Sequence, residues 1–196
     1  MNNKTIAEMI CILDKSGSMY GKEQDTIENY NRMLAELKKL PGETYITTAL
    51  FSEHCRLLYH HIPVQNAKDL TEKDYYTEGD TALFDAIGEM LTMPGAVASE
   101  DKTAPVSGIL VFIITDGMEN ASRHYDLQDV RNLILEKQAA GWEILFFGTD
   151  MDILELAQKT GIKKENTLQY SPDTLGIRSG YLTAEKRFSQ LHSQIK

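Results

Sequence analysis

The fold is decided by the stretch Met9-Ile10-Cys11-Ile12-Leu13-Asp14-Lys15-Ser16-Gly17-Ser18, which joins an apolar run to a polar loop. A run of consecutive apolar residues is typical of a strand that is buried on both faces. The loop then presents one carboxylate, Asp14, and two hydroxyls, Ser16 and Ser18, at alternate positions that point the same way in an extended chain. Such oxygen donors suit a hard cation. The stretch therefore predicts a buried strand that ends at a cation-binding loop.

Two other segments supply oxygen donors at equivalent places. Gly79-Asp80-Thr81 opens a helical pattern, and Ile113-Ile114-Thr115-Asp116-Gly117 ends another apolar run. In open α/β sheets, ligands bind beyond the carboxyl ends of the strands, near the point where the strand order reverses. We expect the three loops to meet there around one ion, and the predicted ligands are Asp14, Ser16, Ser18, Thr81 and Asp116.

Length, charge and composition limit the classes of protein to consider. A chain of 196 residues with 42% hydrophobic content is long enough for a full core in one domain. The net charge of -9 argues against a nucleic-acid partner, since such proteins present basic stripes. The apolar run after Glu8 stops at Asp14, which is too short for a secretory or membrane-spanning segment. We therefore expect a cytoplasmic protein with no membrane partner.

Alternating strand and helix patterns predict an α/β fold. Strands are expected at 7–13, 44–51, 55–62, 107–115, 143–149 and 166–168. Helices are expected at 22–39, from Thr81 to near Pro94-Gly95, at 126–140 and at 151–159. This alternation predicts a three-layer, doubly wound, mostly parallel sheet. Only Ser52-Glu53-His54 separates the second and third strands, which is too short for a parallel crossover, so we expect one antiparallel edge strand.

The last segment, 171–196, is predicted to be a helical extension that packs on or beside a domain of residues 1–170. Ser171-Pro172-Asp173 is a helix-start signal. An apolar stripe follows, formed by Tyr181, Ala184, Phe188, Leu191 and Ile195. Because any surface helix of a globular domain carries such a stripe, packing against its own sheet is favoured over docking to another molecule or self-association.

These residues carry a resemblance to a known family. Asp14-x-Ser16-x-Ser18, Thr81 within Gly79-Asp80-Thr81-Ala82-Leu83, and Asp116 before Gly117 resemble the metal-ion-dependent adhesion site of the von Willebrand factor A domain. The resemblance covers about residues 6–160 and includes all five ligand positions in the same chain order. It implies a Rossmann-like fold and a Mg²⁺ or Mn²⁺ ion held by Ser16, Ser18 and Thr81, with the two aspartates binding directly or through water.

A narrower resemblance concerns the kind of A domain. Asp116-Gly117-Met118-Glu119-Asn120-Ala121-Ser122 and Gly141-Trp142-Glu143 are similar to a group of bacterial and phage stand-alone, intracellular A-domain proteins. In A domains an Asp or Glu of the bound protein completes the metal coordination, and the resemblance implies the same here. Some intracellular members work with AAA+ ATPases, and others with stress-response or phage-encoded systems, so a partner of that kind is implied by analogy only.

Seven residues near the five ligands in sequence are further candidates for the site. They lie behind the ligands or at the rim, and they are Lys15, Gly17, Asp80, Asp85, Gly117, Glu119 and Asn120. Asp80 is expected to cap the second helix and Lys15 to be a solvated surface lysine. Glu119 and Asn120 follow Asp116 closely and are candidates for the rim, although the sequence does not orient their side chains.

The same residues also fit other interpretations than a metal site for protein binding. Taken alone, the loop of residues 14–18 fits a helix N-cap, but a cap does not explain the other two loops. The sequence favours a non-catalytic, metal-dependent protein-binding module. The alternative is a metal-dependent phosphohydrolase with Asp14 as nucleophile, although Ser16 stands where such enzymes place a second aspartate.

Overall fold

The computed structural model describes residues 6–93 and 106–194. These residues form one six-stranded sheet, with strands Ile6–Asp14 (β1), Glu43–Phe51 (β2), Cys55–Pro63 (β3), Val106–Ile114 (β4), Glu143–Gly148 (β5) and Thr167–Gln169 (β6). The order across the sheet is β3-β2-β1-β4-β5-β6, and only the β2–β3 pair is antiparallel. The predicted mostly parallel sheet with one antiparallel edge strand is therefore confirmed.

Helices cover both faces of this sheet. They are Glu23–Leu37 (α1), Leu83–Thr92 (α2), Leu127–Ala139 (α3), Met151–Lys159 (α4) and Thr174–Gln194 (α5). Buried side chains of α1 and α5 belong to the hydrophobic cluster on one face, and those of α2, α3 and α4 to the cluster on the other. The three-layer arrangement is also confirmed.

The central strand β1 shows why residues 9–13 form an unbroken apolar run. All nine of its residues are buried. Met9, Cys11 and Leu13 join the cluster under α1 and α5, whereas Ile10 and Ile12 join the opposite cluster. Because side chains alternate between the faces of a strand, burial on both faces requires apolar residues at consecutive positions.

The last helix, α5, packs on its own sheet. Tyr181, Ala184 and Phe188 are buried in the core, and Leu191 is partly buried against it. The Tyr181 ring meets the edge of Phe112 on β4, with 5.1 Å between ring centroids. Ile195, the last residue of the predicted stripe, lies outside the described residues, as does the predicted helix end at Pro94-Gly95.

Spanning a bilayer would require a longer and more apolar helix than any found in the described ranges.

The topology fixes where a ligand would bind. From β1 the chain crosses to β2 on one side, while β4 lies on the other side of β1. The strand order thus reverses between β1 and β4, and a crevice opens beyond their carboxyl ends. Asp14 ends β1, and Thr115 and Asp116 directly follow β4, so two of the three predicted loops border this crevice.

Candidate metal centre

Backbone hydrogen bonds hold the three predicted loops together. The Gly17 N–H donates to the Gly79 carbonyl at 2.9 Å, which joins the first loop to the second. The Asn120 N–H donates to the Thr81 carbonyl at 3.0 Å, and the Asn120 side-chain oxygen accepts from the Thr81 N–H at 2.8 Å. Asn120 therefore fixes Thr81 from both sides, and the three loops form one surface.

The first loop is organised by the carboxylate of Asp14. One of its oxygens accepts from the Ser16 N–H at 2.7 Å, and the other accepts from the Thr115 hydroxyl. The chain then makes a short 3-10 turn at Gly17–Met19. This turn leaves the hydroxyl oxygens of Ser16 and Ser18 only 3.1 Å apart. Asp14 thus shapes the loop so that its two serines point to one place.

Gly117 shows that a third hydroxyl reaches the same place. A methyl group added at Gly117 would lie 2.5 Å from the Thr81 hydroxyl oxygen, 3.0 Å from that of Ser18 and 3.3 Å from that of Ser16. Three oxygens from two loops therefore surround one small volume, which stays open because residue 117 has no side chain. Hydroxyl and carboxylate oxygens are the ligands that Mg²⁺ accepts in proteins.

Asp116 borders this volume with an unusual carboxylate. Its side chain is only 5% exposed, and its Oδ2 forms an ion pair with the ammonium of Lys22. Its Oδ1 is buried and has no hydrogen-bond partner within the described residues. Buried polar atoms almost always have a partner, so an orphaned carboxylate oxygen beside converging hydroxyls fits a bound cation or its water.

The hydroxyls are essential to this interpretation. No group of three His, Cys, Asp or Glu side chains forms a metal-binding cluster within residues 6–93 and 106–194. A cation at this edge would therefore depend on Ser16, Ser18 and Thr81 as well as on the two aspartates.

Burial also changes the acidity of Asp14. Removal of the side chain from water raises the pKa of Asp14 to about 6, and the negative charge of Asp116 acts in the same direction. Hydrogen bonds from Thr115 and Ser16 partly oppose the rise. Because a metal ligand must be deprotonated, a cation at this site would compete with a proton at Asp14 near pH 6.

Lys15 corrects the sequence interpretation. It was expected at the surface, but it is only 3% exposed. Its ammonium pairs with Glu78 and lies 4.4 Å from the centre of the Tyr76 ring. The ion pair and the aromatic face together compensate for the burial of the charge.

The cap of α2 is a second correction. Asp80 is exposed, and the N-cap position is held by Ala82 without a side-chain cap bond. Instead, the Glu119 carboxylate accepts from the Phe84 N–H at 2.8 Å, within the first turn of α2. The prediction that Asp80 caps the helix is wrong, because Glu119 caps it from another loop.

Asp85 also supports the site from behind. Its carboxylate accepts three backbone hydrogen bonds, from Arg123 at 2.9 Å, His124 at 2.9 Å and Tyr125 at 2.8 Å. Burial alone would raise its pKa, but these three bonds outweigh burial and lower the pKa of Asp85. Asp85 thereby anchors the loop after β4 to the start of α2.

Two residues that complete the site were missed as functional residues. Lys22 holds Asp116, and Thr115 holds Asp14. Thr115 directly precedes Asp116 on the strand-end motif, and this position is a usable signal. Lys22 directly follows Gly21, whose φ of 82° permits a turn of the chain. Its ion-pair partner, Asp116, is 94 residues away in sequence. No local pattern in the sequence indicates that partner.

Most of the exposed large hydrophobic side chains in the described residues lie near the site. Of the seven exposed large hydrophobic residues in the described part of the chain, five lie on loops or helix starts at the carboxyl edge of the sheet: Tyr20, Tyr76, Met118, Met151 and Leu175. A cavity of about 430 Å³ opens beside Gly79 and is lined by Lys15, Tyr76 and Arg56, among others. Polar loops and exposed apolar side chains therefore share one edge.

Comparison with known proteins supports the fold. No protein-family model and no curated protein sequence matches the chain. Proximal thread matrix protein 1 from the mussel byssus aligns with a TM-score of 0.64 and 13% identity over 96% of this chain and 46% of its own. A von Willebrand factor type A protein from Catenulispora acidiphila aligns with a TM-score of 0.59 and 14% identity, over 96% and 43% of the two chains.

The open conformation of the pilus adhesin SpaC from Lactobacillus rhamnosus GG gives a TM-score of 0.69 at 11% identity, over 97% of this chain and 30% of the adhesin. Another structure of the mussel protein, with a TM-score of 0.63, 12% identity and coverage of 93% and 48%, has zinc in its metal-ion-dependent adhesion site. This chain spans less than half the length of each of these proteins. Identities this low establish the fold alone, and this protein has the Rossmann-like fold of the von Willebrand factor A domains.

Proposed function

We propose that this protein binds a protein partner through a divalent cation, Mg²⁺ or Mn²⁺, that is held by Ser16, Ser18, Thr81, Asp14 and Asp116. An Asp or Glu of the partner completes the coordination. One observation carries the proposal: three hydroxyl oxygens lie within 3.3 Å of the open position at Gly117.

The ligand chemistry explains why the partner would be acidic. Three of the five proposed ligands are neutral hydroxyls, so the chain supplies few negative charges. A bound divalent cation would supply Lewis acidity and a position for an incoming carboxylate oxygen. The chain's own role is to orient these oxygens: Asp14 holds the Ser16 N–H, and Asn120 holds Thr81.

The apolar rim argues for a protein rather than a small ion as the partner. Tyr20 is 81% exposed and Leu175 is 74% exposed, and both lie at the edge where the candidate site opens. Exposed apolar groups around a polar centre are typical of protein interfaces, where the apolar contacts contribute affinity and the polar centre contributes specificity.

The burial of Asp14 supports binding over catalysis. A phosphohydrolase of the kind considered above would need Asp14 to attack a substrate. Asp14 is 0% exposed, and both of its oxygens accept hydrogen bonds. A carboxylate held in this way serves as a structural acceptor or a metal ligand more readily than as a nucleophile.

A divalent ion at this place has a precedent in the same fold, since the mussel protein has zinc in its metal-ion-dependent adhesion site. We propose Mg²⁺ or Mn²⁺ here because the donor set consists of oxygens alone, whereas zinc favours nitrogen and sulfur ligands.

Thermal stability tests the metal site directly. The melting temperature of metal-stripped protein is measured while Mg²⁺ or Mn²⁺ is added. A ligand that binds only the folded state adds about 2.7 kcal/mol at a concentration of 100 times its Kd. We expect a saturable rise that is lost in Asp116→Ala and kept in Asp80→Ala, which removes an exposed aspartate near the site. The absence of a rise in the wild type would refute the proposal.

The partner chemistry is tested by selection from a random peptide library in Mg²⁺ and in chelator. We expect the peptides enriched in Mg²⁺ to contain Asp or Glu, and their binding to disappear in chelator and in Thr81→Ala. Enrichment of peptides without an acidic residue would refute the coordination by a partner carboxylate.

A further inference from the structure

Lys22 places a positive charge in direct contact with two of the proposed ligand residues. Its ammonium forms an ion pair with Asp116 Oδ2 and donates to the Ser18 carbonyl at 2.7 Å. Its side chain is only 16% exposed. Both contacts are made to residues of the candidate site, so this lysine is built into the centre and is not a mobile surface charge.

The position of Lys22 leaves the proposed ion volume free. Its side chain donates to the Ser18 carbonyl and to Oδ2 of Asp116, and it forms no hydrogen bond with the hydroxyls of Ser16, Ser18 or Thr81. The other Asp116 oxygen, Oδ1, is buried without a partner. Lys22 therefore occupies one side of Asp116 and leaves the second oxygen for a ligand.

The ion pair between Lys22 and Asp116 lowers the net negative charge of the centre. The five proposed ligands carry two negative charges, on Asp14 and Asp116, and Lys22 balances one of them. Lys15, which is buried, is already balanced by Glu78. The centre then presents one net negative charge to a divalent cation, so a positive charge would remain for a partner's carboxylate.

We propose that Lys22 sets the charge of the metal centre: by neutralising Asp116 it weakens binding of the cation alone and preserves a positive charge that an acidic partner is needed to balance. Occupancy of the centre and binding of the partner are thereby coupled. This inference rests on the proposed function, because it concerns the same site.

Removal of the charge is expected to tighten metal binding. Like charges repel, and in a partly buried site the repulsion is screened less than in water. In Lys22→Met and Lys22→Gln we expect the affinity for Mn²⁺ alone to rise about tenfold. A residue that merely supported the loop would weaken metal binding when it was replaced, so the direction of the change separates the two roles.

The experiment titrates the purified protein with Mn²⁺ and measures free Mn²⁺ by electron paramagnetic resonance. Lys38→Met is the matched control: Lys38, just beyond the other end of α1, also donates to a backbone carbonyl, that of Ala67 at 2.7 Å, and it should leave the affinity unchanged. Equal or weaker binding in both Lys22 variants would overturn the inference.

Acetate serves as the simplest probe of a partner carboxylate. At equal ionic strength, replacement of chloride by acetate should tighten Mn²⁺ binding to the wild type several-fold and should have little effect on Lys22→Met. Equal effects in both proteins, or none in the wild type, would overturn the coupling.

The outcomes also separate this inference from the function on which it rests. If neither the wild type nor the Lys22 variants bind Mn²⁺, or if Asp116→Ala binds as tightly as the wild type, the metal centre itself is refuted. If binding depends on Asp116 but does not tighten in the Lys22 variants, only the role of Lys22 is refuted.

Discussion

Asp116 and Glu119 lie three residues apart in the loop after β4, and the surroundings of their carboxylates are opposite. Glu119 accepts four hydrogen bonds, from the N–H groups of Phe84, Ala121 and Ser122 and from the Ser122 hydroxyl. Asp116 has one ion pair, and its second oxygen has no partner in the described chain. The carboxylate of Glu119 is therefore hydrogen-bonded at both oxygens, whereas the carboxylate of Asp116 has one oxygen without a partner among the described residues.

The difference separates scaffold from site. A buried polar atom without a partner costs about 1–3 kcal/mol, and a ligand that supplies the partner recovers that energy. Asp85 and Glu119 recover it within the folded chain, so we call them the scaffold carboxylates. Asp116 keeps an oxygen without a partner within the described residues. We call it and Asp14 the site carboxylates because both are proposed metal ligands, although both oxygens of Asp14 accept hydrogen bonds. Substitutions in the two pairs should therefore respond differently to metal.

The largest expected effect is that of Asp85→Ala. Three backbone N–H groups lose their acceptor, and hydrogen bonds to a charged group contribute about 1.5–3 kcal/mol. We expect the free energy of unfolding to fall by about 3 kcal/mol, measured by urea denaturation, with the same loss in Mg²⁺ and in chelator. Asp85→Asn keeps one acceptor oxygen and should lose about half as much. A loss of stability seen only in Mg²⁺ would show that Asp85 contributes to metal binding and is not a scaffold carboxylate.

Gly117→Ala should give the opposite pattern. The new methyl group would lie 2.5 Å from the Thr81 hydroxyl oxygen, so it would fill the volume between the three hydroxyls. We expect the stabilisation by saturating Mg²⁺, about 2–3 kcal/mol, to disappear. The free energy of unfolding in chelator should change less. Differential scanning calorimetry with and without Mg²⁺ measures both.

The matched control is Gly17→Ala in the first loop. A methyl group there would meet its nearest neighbour, the Gly79 carbonyl, at 3.4 Å, which is an ordinary contact. This variant should keep the Mg²⁺ effect. Loss of the effect in both glycine variants would mean that general loop distortion, and not the filled volume, is responsible.

This contrast also shows what the sequence can and cannot predict. The strand β1, its polar end and the antiparallel hairpin follow from local patterns, and these features were predicted correctly. The burial of Lys15 was not, because it depends on Glu78, which is 63 residues away in sequence.

Helix caps show the same limit. Asp80 has the local signature of a cap, but the Phe84 N–H of α2 donates to Glu119, which lies 35 residues further along the chain. Local patterns specify the polar residues at the ends of strands, whereas the partner of each charge is decided by the packing of distant loops. Local patterns therefore did not indicate the roles of the scaffold carboxylates, and the five proposed metal ligands stay a prediction.

A smaller effect is expected from pH. The pKa of Asp14 is raised to about 6 by burial, from an ordinary value of 3.8. Because the folded state binds this proton more tightly than the unfolded state, Asp14 stabilises the metal-free protein most below pH 4, and this contribution is lost as the pH rises through about 6. Mg²⁺ requires the ionised carboxylate, so its stabilisation should show the opposite trend.

The measurement is the Mg²⁺-induced rise in melting temperature at pH 7.5, 6 and 5. One pH unit below the pKa of Asp14 the affinity should fall about tenfold, which is about 1.4 kcal/mol. Thr81→Ala removes a proposed metal ligand without removing a titrating group. Its melting temperature at the same pH values therefore gives the general effect of acid on the fold. A Mg²⁺ effect that is constant from pH 7.5 to 5 would remove Asp14 from the set of ligands.

The smallest effect is expected for Asp80→Ala, and it gives the sharpest comparison with Asp85. Both aspartates lie near the N-terminus of α2, where the helix dipole favours negative charge. Asp80 is exposed, however, and forms no hydrogen bond in the described structure, so its replacement should change the free energy of unfolding by no more than about 0.5 kcal/mol. The dipole alone would predict similar losses for Asp80→Ala and Asp85→Ala in urea denaturation. Losses that differ several-fold would instead show that the three backbone hydrogen bonds to Asp85, and not its place at the helix end, make it a scaffold carboxylate.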